Sequence, residues 1–182
     1  MTTSFSPAAY ADALHFAAAA HRDQRFPGKD LPYLVHVVEV AAELIAALPH
    51  EEVERPDLAV QCALLHDTVE DTGTALDALV ARFGADVAAG VDALSKREVI
   101  AKDRRMDDSI DRILAQPREI ALVKLADRIA NLAEPPAYWP TDKRQAYRRE
   151  AEHLLARLGP SSRYLAGRLR SRIEEYQAWC GP

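Results

Sequence analysis

Leu58-Ala59-Val60-Gln61-Cys62-Ala63-Leu64-Leu65-His66-Asp67-Thr68-Val69-Glu70-Asp71 is an apolar run that ends in four ionisable side chains within six residues. A buried helix is a poor place for such charges unless something neutralises them. A histidine followed at once by an aspartate sets two metal-ligating side chains next to each other. Glu70 and Asp71 come one turn later, and side chains four apart share a helix face. The pattern points to a divalent metal and an activated water. The run is predicted as one helix, from about Leu58 to Asp71.

Working outward, helical signals continue in both directions. Ser6-Pro7 reads as an N-cap followed by proline at the first helical position, opening a helix to about His21. A polar loop, Arg22 to Leu31, precedes a helix from Pro32 to about Leu48. Downstream, Thr74 with Asp77 resembles a capping box for a short helix closed by Gly84. A further helix is predicted from about Asp86 to Leu94, with Ser95 to Arg105 a loop or frayed helix. Helices follow at about Met106 to Ala115 and Glu119 to Leu132. Pro135, Pro136 and Pro140 force a non-helical connector. Thr141 to Leu158 and Ser161 to about Trp179 complete the pattern. No strand-like alternation or repeat is present. The expected fold is all-α, a compact bundle of about eight to ten helices forming a single domain over residues 1–182.

Composition agrees. Ala and Leu dominate an apolar fraction of 48%, which favours helix over strand. The net charge of −5 argues against a general nucleic-acid binder, but a local basic cluster can still hold a small anionic substrate. No apolar run approaches the roughly 20 residues that span a bilayer, and no secretory leader is evident. Cys62 and Cys180 form neither a disulfide framework nor a zinc knuckle, so a cytoplasmic, reducing environment is expected. The oligomeric state is left open.

His36, His66, Asp67 and Asp127 supply two imidazoles and two carboxylates from three predicted helices, a way to build a metal site inside a bundle. Without thiolates a structural zinc site is disfavoured. Two histidines argue against calcium or magnesium, leaving manganese, iron, cobalt or zinc. Singly, each residue has a blander reading: a lone histidine on an apolar helix is more often a satisfied core or surface residue, and that covers His15, His50 and His153.

The ordered set His36, His66-Asp67, Asp127 resembles the HD superfamily of metal-dependent phosphohydrolases. His66-Asp67-Thr68-Val69-Glu70-Asp71 is similar to the HDxxED signature of the alarmone hydrolases, the hydrolase half of RelA/SpoT enzymes and the stand-alone small alarmone hydrolases of the metazoan SpoT-homologue type. The segment Ala20-His21-Arg22-Asp23-Gln24-Arg25 resembles that family's AHxxQxR. Pro32-Tyr33-Leu34-Val35-His36 resembles PYxxH, Phe83-Gly84 with Val87 resembles FGxxV, and Val123 to Leu132 resembles VKLADxxxNL. The likeness runs from about Tyr10 to Tyr147.

The resemblance implies removal of the 3′-pyrophosphate from guanosine tetra- or pentaphosphate, a small nucleotide substrate, with manganese the usual ion. His36, His66, Asp67 and Asp127 would hold the metal, while Glu70 and Asp71 would position and deprotonate the attacking water. Arg25, Lys96, Asn131, Lys143 and Tyr147 match substrate-contacting positions. Two departures lie where the base would sit. Relatives often continue the first motif with consecutive basic residues, but here it reads Arg25-Phe26-Pro27-Gly28-Lys29. After Asn131-Leu132 the chain gives Ala133-Glu134-Pro135-Pro136. These departures keep an adenine alarmone open beside the guanine one. Another HD nucleotide phosphohydrolase is the second reading. A non-catalytic nucleotide sensor is the third, disfavoured because the whole ligand set and both carboxylates are present. Alarmone synthesis is not expected.

Overall fold

A computed structural model describes residues 4–181. They form ten α-helices: α1 (Pro7–Ala20), α2 (Leu34–Ala47), α3 (Pro56–Leu65), α4 (Thr68–Thr72), α5 (Leu76–Phe83), α6 (Ala85–Leu94), α7 (Arg105–Leu114), α8 (Arg118–Asn131), α9 (Thr141–Leu158) and α10 (Arg163–Tyr176). No strand occurs among the described residues, only an isolated antiparallel bridge between Arg25 and Pro32. The all-α expectation holds. No helix is long and apolar enough to cross a membrane.

Helix α8 is the hub, packing against α2, α3, α6, α7, α9 and α10. Every residue from Glu119 to Ile129 is buried, so this helix has no solvent face from which to present its charges. Leu122, Leu125 and Ile129 interlock with Leu64 and Leu65 of α3 and Leu44 of α2 in one core. Each such side chain contributes roughly 1.5–3 kcal/mol on burial. Gly90 lets α6 approach this core: a Cβ there would lie 2.6 Å from Ile120 Cδ1 and 2.8 Å from Cys62 Sγ.

Several local signals work as read. The Ser6 hydroxyl accepts from the Ala9 amide at 3.3 Å, capping α1 behind Pro7. Helix α10 begins at Arg163, two residues later than expected, with Ser162 accepting from the Leu165 amide at 3.0 Å. The Thr74–Asp77 capping box does not form. Ala75 precedes α5 instead, and Thr74 Oγ1 bonds the Thr72 hydroxyl at 2.8 Å.

The apolar run from Leu58 to Asp71 is not one helix. Helix α3 stops at Leu65 and α4 restarts at Thr68, with Asp67 at φ −101° and ψ −1°. His66 Nδ1 lies 2.8 Å from the Ala63 carbonyl oxygen, and the Thr68 hydroxyl donates to the Leu65 carbonyl at 2.7 Å. These side chains satisfy carbonyls that an unbroken helix would have paired with its own amides.

Candidate active site

The break matters for the chemistry. In a continuous helix, adjacent side chains diverge by about 100°. Here the interruption turns His66 and Asp67 toward each other, with Nε2 2.9 Å from Oδ2. His36 comes in from α2, its Nε2 3.7 Å from Asp67 Oδ2 and 3.5 Å from Asp127 Oδ1. Asp127 arrives from α8, its Oδ1 3.8 Å from His66 Nε2. One ligating atom from each of His36, His66 and Asp67 lies within 4.8 Å of the others.

The donors suit a cation. His36 Nε2 and His66 Nε2 are buried and, among the described residues, make no properly directed hydrogen bond, although carboxylates stand beside them. With His66 Nδ1 donating to the Ala63 carbonyl, its Nε2 is turned to face the cluster. Burial disfavours charge on His66, but Asp67 and Asp127 outweigh it and lift the imidazole to about 9. Burial likewise opposes the Asp127 charge, yet Lys124 at 2.8 Å and both imidazoles hold its carboxyl well below the usual range. The cluster favours positive charge at its centre.

Four supporting side chains were not singled out in the sequence, although all lie inside the quoted motifs. The Tyr33 hydroxyl donates to Asp67. Burial and then the Asp67 charge push that phenol far above its ordinary value, so it remains a donor. Lys124 pairs with Asp127. His21 donates to Gln24 Oε1 at 2.6 Å, and Gln24 Nε2 donates to Asp71 Oδ2 at 2.8 Å. Burial, followed by the Asp67 charge, raises the Asp71 carboxyl, with Gln24 partly opposing them. Glu70 Oε2 accepts from the Lys96 amide at 2.7 Å, and the Lys96 ammonium lies 3.4 Å from Oε1. The loop presenting Lys96 is held by Arg112, which donates to the Ser95 carbonyl at 2.7 Å.

Next to the cluster lies a cavity of about 190 Å³. Tyr33, His36 and Asn131 line it where it meets the ligand set, and Asn131 also donates to Asp127. Tyr147 and Trp139 form a wall, their rings 5.3 Å apart and edge to face. Lys143 stands 3.9 Å from the centre of the Trp139 ring, and Arg128 4.3 Å from that of Tyr147.

Arg25 is not brought to this cavity. It is exposed and pairs with Asp30 at 3.1 Å, while Phe26 lines the cavity instead. The cause is the short bridge. Phe26 donates to the Leu31 carbonyl and Tyr33 to that of Gln24, both at 2.9 Å, so residues 24 to 26 are extended and alternate sides. Gln24 and Phe26 face inward and Arg25 faces out. Counted strictly from Ala20, the arginine of AHxxQxR also falls at Phe26. The two departures from the family pattern meet here. Gly28 has φ +77°, and a Cβ on it would lie 2.9 Å from Pro136 Cβ, so the Phe26–Lys29 loop is seated directly on the proline connector.

A helical bundle with paired imidazoles and carboxylates at a broken helix defines a class, and the chain belongs to it: the family described as HD domain matches residues 13–162. That family implies a divalent metal, for which His36, His66, Asp67 and Asp127 are the candidate ligands. Among particular proteins, it is similar to the guanosine-3′,5′-bis(diphosphate) 3′-pyrophosphohydrolase MESH1 of Homo sapiens, 33% identical with 90% of this chain and 92% of that protein covered. The mouse protein of the same name is 32% identical over the same shares. A solved structure of a metazoan ortholog of SpoT, described as hydrolysing ppGpp, superposes with a TM-score of 0.81 at 26% identity, covering 95% of this chain and 98% of that one.

Proposed function

We propose that this chain is a metal-dependent hydrolase that removes the 3′-pyrophosphate from purine nucleotide alarmones, guanosine and adenosine forms alike, with Mn²⁺ as the working ion. The observation that carries this reading is the pair of buried, undirected imidazole nitrogens on His36 and His66, facing two carboxylates, with Glu70 and Asp71 alongside. The two-imidazole, two-carboxylate set favours a first-row ion such as manganese. Similarity to the 3′-pyrophosphohydrolases of mouse and human supplies the substrate class.

A divalent ion in this set would lower the pKa of water and screen the phosphate charge from an incoming hydroxide. The chain's own groups do the rest. Glu70 and Asp71 orient the attacking water and take its proton, and burial followed by the Asp67 charge raises the Asp71 carboxyl, so it holds a proton more readily than a free carboxylate does. Gln24 fixes the Asp71 carboxylate and the Lys96 amide fixes that of Glu70, so neither has to reorganise. Lys96 and Lys143 attract the phosphates, while Asn131 and Tyr147 border the nucleoside. Attack at the 3′-linked phosphorus releases pyrophosphate and leaves the 3′-hydroxyl.

The test is turnover of guanosine and adenosine tetraphosphates side by side with added Mn²⁺, identifying the released product. Pyrophosphate from both is expected, with a kcat/KM ratio within about tenfold, or 1.4 kcal/mol. Orthophosphate as the product would assign the chain to another HD phosphohydrolase activity. Full turnover in excess chelator, or in Asp67→Ala, would remove the metal from the reading.

A further inference from the structure

We infer that Phe26 is the residue on which the substrate's purine base stacks, in the place where the family motif carries an arginine; the inference rests on the proposed nucleotide-hydrolase reading. Five aromatic side chains, Phe26, Tyr33, Trp139, Tyr147 and Tyr176, border one cavity of about 190 Å³, although only 7% of the chain is aromatic. Such walls suit a flat, polarizable ring. His36 and Asn131, both against Asp127, also line the cavity, so a ligand with its phosphates at the metal cluster would put its base among these rings.

Phe26 is built into this position. The Arg25–Pro32 bridge turns it inward, and its ring meets the His36 imidazole edge to face with centres 5.9 Å apart. Lys29, which lines the same cavity, stands over the ring at 4.6 Å. Gly28 seated against Pro136 keeps the loop from retreating. A benzene ring offers dispersion and quadrupole contact but no hydrogen bonds to the base edge. It therefore favours a purine over no base without choosing between adenine and guanine.

The test separates stacking from turnover. In a Trp179→Phe background Trp139 is the sole tryptophan, and its fluorescence reports occupation of the cavity. Adenosine and guanosine 3′,5′-bisphosphates should both quench it. Phe26→Ala and Phe26→Leu should weaken both at least about tenfold, with ribose 3,5-bisphosphate, which has no base, unaffected. On the tetraphosphates the same variants should raise KM with kcat within about threefold. Unchanged binding of both bisphosphates in the two variants overturns the inference. So does an equal loss for the base-free ligand, which would mark Phe26 as loop packing only. Phe26-dependent binding without pyrophosphate release would defeat the proposed activity and leave the stacking role standing.

Discussion

Tyr33 touches two candidate ligands at once, donating its hydroxyl to Asp67 while its ring lies 5.2 Å from that of His36. Tyr33→Phe keeps the ring and removes the donor. It is expected to leave the fold intact and weaken metal binding about 10–100-fold, the usual consequence of freeing a ligand from its supporting hydrogen bond. Competition against a chelator measures this, and unchanged affinity would mean that Asp67 needs no orienting partner. Glu70→Gln should keep the metal and the substrate yet lose on the order of 10²–10⁴ in turnover, as general-base loss does. Metal analysis beside single-turnover kinetics checks it: loss of the ion would make Glu70 a ligand. At this scale the candidate ligands were readable because histidine and aspartate inside apolar runs conflict with burial. Tyr33, Gln24 and Lys124 were not readable as supports, because a hydroxyl, an amide and an ammonium are compatible with many surroundings. The charge of Arg25 does not reveal its place, because the extended backbone at the Arg25–Pro32 bridge turns it to solvent.

Among the elements, the interruption at His66-Asp67 was hidden by its own sequence. Hydropathy continues through it, and neither glycine nor proline marks it. The competing bonds come from the His66 imidazole and the Thr68 hydroxyl, both ordinary inside a helix. The Thr74–Asp77 box shows the reverse, a recognised local signal displaced by a threonine pair. The loop from Phe26 to Lys29 depends on Gly28, whose left-handed backbone and contact with Pro136 leave no room for a side chain. Gly28→Ala should cost about 1–2 kcal/mol from the left-handed conformation alone. It should also raise KM while sparing kcat, since the loop moves and the metal ligands do not. Thermal melts and steady-state kinetics read the two effects separately. An unchanged KM would show that the loop does not border the bound substrate.

Across the molecule, the ligand set joins α2, the α3–α4 break and α8, three parts of the bundle that also share its core. An ion bound there would bind the folded state and not the unfolded chain. At 100 times its dissociation constant it should stabilise the protein by about 2.7 kcal/mol. For a chain of this size that is a melting-point rise of about 5–10 °C. A melt in chelator and after Mn²⁺ addition should show it, and coincident curves would separate the cluster from any resident ion. Helical class was legible throughout because apolar spacing and composition agree. The aromatic cavity was not, since its walls come from both ends of the chain. Its rim has a consequence for descent and engineering. The Phe26–Lys29 loop and the proline connector are distant in sequence but meet through Gly28 and Pro136, so a change in one bears directly on the other. A lineage that lengthens one must reshape the other in step, and a chimera that takes only one from a relative receives two halves of different locks.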